Sequence, residues 1–396
     1  MTPFASRKTL LFVVLGTALI ALLGWRLLRP LNIFVVAPAF ERPIDTRQAP
    51  AMFETLRAEE CGACHRDIYA EWRSTIHSQA WTDPYFQVDW EFDGRQQICK
   101  NCHIPLDRQQ EQRVVGFRDD DKWDPILEPN PEFDAQLQHE GVTCTVCHLR
   151  AGVVLGVRGD TDAPHPVRRI GNGNEVCVRC HVVSGERWDT FFRFPPCGTV
   201  AEILHTQNVT PSGETTTSAT AALGCVDCHM PLIERPLAEG GIVRTTRQHL
   251  WRGGHDPQMV KSGLDVHFNI GTSANHRATL TLTNTGAAHY FPTGTPDRHL
   301  TVTLRALDSA GAVLDEEQWT LKRTVMWRPF IVDLWDTRLP RHEARTYALD
   351  IGARTVAVEA EVRYHLLDEA RRERIGYRNT QPIDYAVYRE RMVVTQ

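Results

Sequence analysis

Cys61-Gly-Ala-Cys64-His65 is the first of five stretches that share one spacing. The others are Cys99-Lys-Asn-Cys102-His103, Cys144-Thr-Val-Cys147-His148, Cys177-Val-Arg-Cys180-His181 and Cys225-Val-Asp-Cys228-His229. Each reads Cys-x-x-Cys-His, the attachment signature of a c-type haem. Two thiols add across the two vinyl groups of a porphyrin edge. The two residues between them let one turn of chain present both sulfurs. The His that follows then sits under the iron as its proximal ligand. Zinc takes four ligands, so Cys-x-x-Cys pairs serve it in twos. Five pairs leave one over, and zinc gives no reason for a His after each pair. Thioredoxin-type dithiols need neither the repetition nor the His. The motifs therefore predict five covalent haems and no other cofactor.

Outward from the motifs, the sequence divides by pattern. Arg7 and Lys8 precede an uncharged apolar run, Thr9 to Trp25, which Leu27 and Leu28 extend past Arg26. Its length is at the lower end for a membrane-spanning helix and beyond the apolar core of a signal peptide. We expect a cytoplasmic tail at 1–8, an uncleaved anchor at 9–28 and a linker at 29–54. Haem is attached outside the cytoplasm, so the expected location is the bacterial inner membrane, single-pass, with the bulk of the chain in the periplasm.

From 55 to 260 the motifs recur roughly every forty residues, with little sustained helical or strand periodicity. Short helices and long loops are expected, with haem supplying the apolar core that side chains would otherwise provide. Arg118-Asp-Asp-Asp-Lys122 and the Ser/Thr-rich run from Thr210 to Thr220 read as exposed loops.

From about Leu264 the period becomes two: Val266, Phe268 and Ile270; Ala278, Leu280 and Leu282; Leu300 to Leu304; Tyr347, Leu349 and Ile351; and Val356 to Tyr364. Asp308-Ser-Ala-Gly311 is a hairpin turn candidate. These predict an antiparallel β-sandwich over 261–396, without a helix of note. The expected fold is therefore mixed: a loop- and short-helix-rich multihaem domain, then a β-sandwich, behind one transmembrane helix.

The net charge of −5 gives no basic excess, which argues against nucleic acid. Ten of the 11 cysteines belong to the motifs, leaving Cys197 as a free thiol. Of 17 histidines, five are proximal, and only Met259 among the six methionines is placed to serve as an axial ligand. Mostly bis-His haems are expected. The distal candidates are His77, His139, His165, His249, His255 and His289. His77 would present a set face if helical, and His139 lies close before the third motif. His205 is a weaker candidate. His267, His276, His299, His342 and His365 read as ordinary residues of the β region.

Cys61 to His65 followed by Ile68, Tyr69, Trp72, Ser74 and His77 resembles the opening of a cytochrome c-554 type domain, as does His139-Glu-Gly-Val-Thr-Cys-Thr-Val-Cys-His148. The segment Asn284-Thr-Gly-Ala-Ala-His289-Tyr-Phe-Pro-Thr-Gly294 resembles a stretch of bacterial multihaem cytochromes with a β-rich C-terminal part. The wider group includes hydroxylamine oxidoreductase. The resemblance implies stacked haem pairs, mostly bis-His ligation and, in some members, one open iron. Five motifs instead of eight, and no Cys-x-x-Cys-Lys variant, separate this chain from the catalytic members. The expected role is an electron carrier between redox protein partners, with a quinol as one donor compatible with the anchor. The alternative is an oxidoreductase with one open haem iron acting on a small nitrogen or sulfur compound.

Overall fold

The computed structural model describes residues 7–28, 41–120, 122, 124–159, 162–181, 198–207, 223–271, 277–326 and 332–394. Cys197, His276 and the Ser/Thr-rich run 210–220 lie outside the described residues.

The apolar N-terminal run forms one helix, Arg7–Leu28, of 22 residues. At about 1.5 Å per residue this spans about 33 Å, enough for a hydrocarbon layer of about 30 Å. Its window Arg7–Trp25 has a mean hydropathy of 2.0, and none of it is buried in the protein. Phe12 and Ile20 are each 72% exposed. A helix of this kind suits a membrane anchor and a signal sequence alike.

The motif-bearing region is built from short helices: Ala58–Gly62, Arg66–Arg73, Pro84–Phe92, Gln97–His103, Ala135–His139, Cys144–His148, Asn174–His181, Thr199–Thr206 and Cys225–His229. Small sheets lie between them, which the sequence reading did not expect. They are β1 (Gln112–Phe117) with β2 (Pro125–Pro129), β3 (Leu149–Arg150) with β4 (Val153–Gly156) and β5 (Val167–Arg169), and β6 (Leu232–Pro236) with β7 (Val243–Arg247). These ribbons are short and bury little apolar surface, so they leave no period-two signature. The β6–β7 pair is held partly by polar contacts, with Arg235 Nε donating to Thr246 Oγ1 at 3.2 Å. The side-chain cores here are small: Ile44, Leu56, Leu106, Leu137, Val146 and Leu149 form one cluster, and Val200, Ile203, Leu204 and Leu223 another. A large cavity occupies the middle.

The C-terminal part is antiparallel throughout. Its strands are β8 (Leu264–Ile270), β9 (Arg277–Asn284), β10 (His299–Leu307), β11 (Val313–Met326), β12 (Val332–Asp336), β13 (Ala344–Asp350), β14 (Ala357–His365) and β15 (Asp384–Val393). They form a five-stranded sheet in the order β12-β11-β10-β14-β15 and a three-stranded sheet in the order β13-β9-β8. One core joins the two sheets, with Leu280 and Leu282 of β9 and Tyr347 and Leu349 of β13 packed against Leu300, Val302 and Leu304 of β10 and Val362 of β14. Inward and outward residues alternate as the pleat requires. The β10–β11 turn is set by Asp308, whose Oδ1 accepts from the N–H groups of Ala310 and Ala312 at 2.9 Å. Gly311 there takes a φ of 82° that a side chain would disfavour. A helix, Glu369–Ile375, is added between β14 and β15, capped by the Asp368 side chain.

A buried ion pair ties the two parts together. Arg338 donates to Glu202 Oε1 at 2.6 Å, and Thr293 donates to Glu202 Oε2 at 2.6 Å. Both charged side chains are almost fully buried, at 2% and 1% exposure.

Candidate haem-binding site

The cavity has a volume of about 2110 Å³, against about 300–1,000 Å³ for an ordinary small-ligand pocket. All ten motif cysteines and all five motif histidines line it. The local reason is the same each time. The motif winds into a helical turn, as in Cys144–His148 and Cys225–His229, which brings both sulfurs and the His to one side. At the first motif the turn is closed by His65 N–H donating to Cys61 O at 2.9 Å.

Four of the five motif imidazoles are held by backbone carbonyls. The ring Nδ1 lies 2.8 Å from Leu237 O in His65, 2.6 Å from Ala80 O in His103, 2.7 Å from Leu155 O in His148 and 2.6 Å from Arg252 O in His229. A carbonyl only accepts, so each Nδ1 carries the proton and each Nε2 keeps its lone pair. This is the tautomer a metal-ligating His needs. The same contact recurs in two distal candidates, His249 Nδ1 to Arg247 O at 3.0 Å and His289 Nδ1 to Tyr290 O at 2.8 Å.

Burial favours the neutral ring in several of the cavity imidazoles. It pushes His77 down to about 3, with His181 and His229 adding to the effect. It likewise lowers His103, His249 and His289, each to about 4. A neutral ring at neutral pH is a ready ligand.

A first-row metal holds an imidazole nitrogen at about 2.0–2.1 Å, so two imidazoles on opposite sides of one ion have ring centres roughly 6 Å apart. Three pairs of rings stand at this separation: His65 and His165 at 6.5 Å, His77 and His181 at 6.4 Å, and His148 and His249 at 6.1 Å. His289 also lines the cavity and feels the charge of His229 and His181. His255 lines it too, beside Arg298, whose Nη2 is 3.3 Å from His255 Nε2.

His139 is not brought to the cavity. It closes the helix Ala135–His139 on the exposed side. The inward face of that helix is taken by Leu137 and Gln138, the latter donating to Glu111 at 2.6 Å. His77 does reach the cavity, but from a turn: the helix that precedes it stops at Arg73.

Other residues shape the site without a sequence motif to announce them. Trp251 stands edge-on to His77 at 5.0 Å and to His249 at 5.2 Å, separating the two rings. Phe86 lies flat on His103, with centroids 3.5 Å apart. Glu71 accepts from His249 N at 2.8 Å and from Arg235 Nη1 at 2.7 Å, fixing the loop that carries His249. Arg179 Nε, Arg244 Nε, Arg298 Nη1 and Asn172 Nδ2 are buried on the cavity wall with no protein partner. Buried donors of this kind require an acceptor. A group with an apolar body and anionic carboxylates, such as haem, supplies both what the cavity volume and what these donors call for.

Contacts between motifs give their arrangement. The side chains of Cys61 and Cys144 lie beside one another, as do those of Cys102 and Cys180 and those of Cys177 and Cys225. Cys147 lies near Cys180. The third motif thus sits between the first and the fourth, and the fourth also meets the second and the fifth.

The family model of cytochrome c554 and c-prime matches residues 60–122. No curated protein matches the chain. Among solved structures the chain is similar to the crystal structure of a penta-heme cytochrome c552 from Thermochromatium tepidum, with 20% identity, a TM-score of 0.60, and coverage of 85% of this chain and 98% of that one. That likeness is one of fold. The X-ray structure of Northeast Structural Genomics Consortium target SoR45 aligns over 33% of this chain and 84% of that one at 12% identity, with a TM-score of 0.16. The repeated motifs and the family match make the chain a multihaem c-type cytochrome.

Proposed function

We propose that the protein carries five covalent haems and transfers electrons between redox protein partners, held to the inner membrane by the helix Arg7–Leu28 with its body in the periplasm. When bound, haem supplies one-electron chemistry; the chain holds, orients and shields it. The ten cysteines bind covalently. His65, His103, His148, His181 and His229 ligate from the proximal side. His165, His249 and His77, which face His65, His148 and His181, would hold the haem from the other side, and His289 would do so for His229. The observation that carries this reading is the set of three imidazole pairs at axial separation across one cavity. A ring on each side of an iron excludes exogenous ligands, which suits a carrier. The motif contacts support a branched order of stations, first, third, fourth and fifth, with the second beside the fourth. A quinol fits the anchored arrangement as a donor, without a residue to assign to it.

One observation favours a second reading. Among the described residues no imidazole stands at axial separation from His229, which His289 approaches, or from His103. An open iron at His103, with His255 and Arg298 on the same cavity wall, would suit an oxidoreductase of a small nitrogen or sulfur compound. Electron paramagnetic resonance of the oxidised protein, with haem quantified in the same sample, separates the two. Five haems with only low-spin signals support the carrier. A high-spin signal that shifts with nitrite, hydroxylamine or cyanide supports the second reading. Fewer than five haems would remove the basis of both.

A further inference from the structure

The segment 247–252, at the end of β7, touches three of the haem-attachment stations. The His249 ring Nδ1 lies 3.0 Å from Arg247 O, and the His249 N–H donates to Glu71 Oε2 at 2.8 Å. Arg252 O holds the proximal ring of His229 at 2.6 Å. Arg247 is anchored on the fifth motif. Its Nη1 donates to Val226 O at 2.7 Å and to Met230 O at 3.0 Å, and its Nη2 donates to Asp227 Oδ1 at 2.7 Å. Gln248 N–H donates to Pro231 O at 2.9 Å. Among these anchors stands Trp251, with a φ of 40°. A bulky side chain rarely takes that left-handed conformation. Such strain persists only where the surroundings over-determine it, and it collects at functional sites.

The strained backbone aims one indole at two ligand candidates. Trp251 meets His77 at 5.0 Å with an interplanar angle of 75°, and His249 at 5.2 Å with an angle of 89°. Contacts of this edge-to-face kind oppose rotation of an imidazole about its Cβ–Cγ bond. Among the described residues no carbonyl holds the His77 ring, and the rings beside it are those of Trp251 and His181. The planes that result differ: His77 stands at 66° to His181, and His249 at 32° to His148. The angle between two axial imidazole planes sets how far the d orbitals of an iron between them split. It therefore sets the g values of the ferric state and bears on the ease of reduction. Neighbours that orient a ligand ring tune the metal as the ligand itself does. We propose that Trp251 is a positioning residue that fixes the ring planes of His77 and His249 together, and so tunes the third and fourth haems as a pair.

The inference rests on the ligand reading above. Its test is electron paramagnetic resonance of the oxidised, haem-loaded protein, with haem counted and potentials titrated in the same samples. The 66° pair should give a signal with one large g value, and the 32° pair a rhombic one. His77→Ala and His249→Ala identify the two signals, each by turning one haem from low spin to high spin. Trp251→Gly suits the positive φ and removes only the ring. It should shift both signals and both potentials and leave the other haems as they are. Trp251→Leu, which fills the space without a flat edge, should do the same. Trp251→Phe keeps an aromatic edge and should restore the parent pattern. Signals and potentials unmoved in Trp251→Gly, or a shift confined to one haem or spread over all of them, would overturn the proposal while leaving the ligand reading intact. Should Trp251→Gly lose haem, an unmoved pattern in Trp251→Leu would overturn it. If neither His77→Ala nor His249→Ala yields a high-spin haem, the ligand reading falls, and this inference with it.

Discussion

His148 and His249 face each other across the cavity with ring centres 6.1 Å apart, although the fourth and fifth motifs lie between them in sequence. His148 is fixed by Leu155 O, and His249 is fixed by Arg247 O together with the Glu71 carboxylate on its backbone N–H. A carbonyl hydrogen bond on each ring and the separation between them are what two axial ligands of one iron require.

The first prediction concerns that pair. His249→Ala should leave five covalent haems but open one iron. A new high-spin signal and carbon monoxide binding to about one haem in five are the expected readouts. An unchanged low-spin spectrum would remove His249 from the ligand set.

The Glu71–Arg235 pair should be structural for the same ligand. Both side chains are mostly buried, at 14% and 9% exposure. Glu71→Ala leaves a buried guanidinium unpaired, at a cost of about 3–5 kcal/mol. Chemical denaturation should show that loss, together with a shift in the spectrum of the His249-ligated haem. A double change that also makes Arg235 apolar should recover most of the stability.

The Glu202–Arg338 pair joins the helix Thr199–Thr206 to the β region, and Asp336 also accepts from Arg338 at 2.8 Å. Burial raises the Glu202 carboxyl, and Arg338 opposes that shift. Glu202→Ala should destabilise the protein by about 1.5–3 kcal/mol, because it removes the charge-assisted hydrogen bond from Arg338, while Asp336 still pairs the guanidinium. Limited proteolysis should then find the junction between the two parts more accessible. Equal protection in the variant and the parent would show that the junction is held by other contacts.

Acid should weaken the contact between Arg57 and the helix Ala135–His139. Burial tends to raise Asp134, but hydrogen bonds from Leu137 N–H, Arg57 and Gln136 N–H outweigh it and lower the carboxyl. A folded value below the unfolded one, near 3.9, means that the stabilisation is complete above that unfolded value and is lost as pH falls through the folded value. Asp134→Asn should therefore cost about 1–2 kcal/mol at pH 7 and progressively less toward pH 3. A difference from the parent that stays constant with pH would show that the charge contributes nothing.

Removing the helix Arg7–Leu28 and supplying a cleavable export leader should move the haem protein from the membrane fraction to the soluble one, with its spectrum unchanged. Retention in the membrane would place the attachment elsewhere in the chain.

The sequence by itself determined what is covalent and what is periodic. Cys-x-x-Cys-His is a local pattern, because one turn of chain must meet one porphyrin edge. The inward residues Leu280, Leu282, Leu300, Val302 and Val362 follow the two-residue period of a pleated strand and were legible for the same reason. The strands β11, β12 and β15 were harder to read: β12 and β15 are the edges of their sheet, and β11 pairs with β10 along one half and with β12 along the other, so none has a continuous buried face. β11, for instance, carries Asp315, Glu316 and Glu317 in its exposed half. The short ribbons β1 to β7 bury only scattered apolar residues, such as Val114, Leu149 and Leu155, too few to make a pattern.

Only the tertiary structure decided which histidines reach the cavity. His139 and His77 both stand near a motif in sequence. His139 is turned to solvent by the packing of Leu137, while His77 enters because its helix ends early. His289 reaches the cavity from a loop of the β region. The unpaired buried nitrogens of Arg179, Arg244 and Arg298, the Trp251 wedge and the Tyr85–Asp297 contact have no sequence signature either. Each depends on segments far apart in the chain being packed around one shared cavity, and a distance of that kind is set by the fold and by no local spacing.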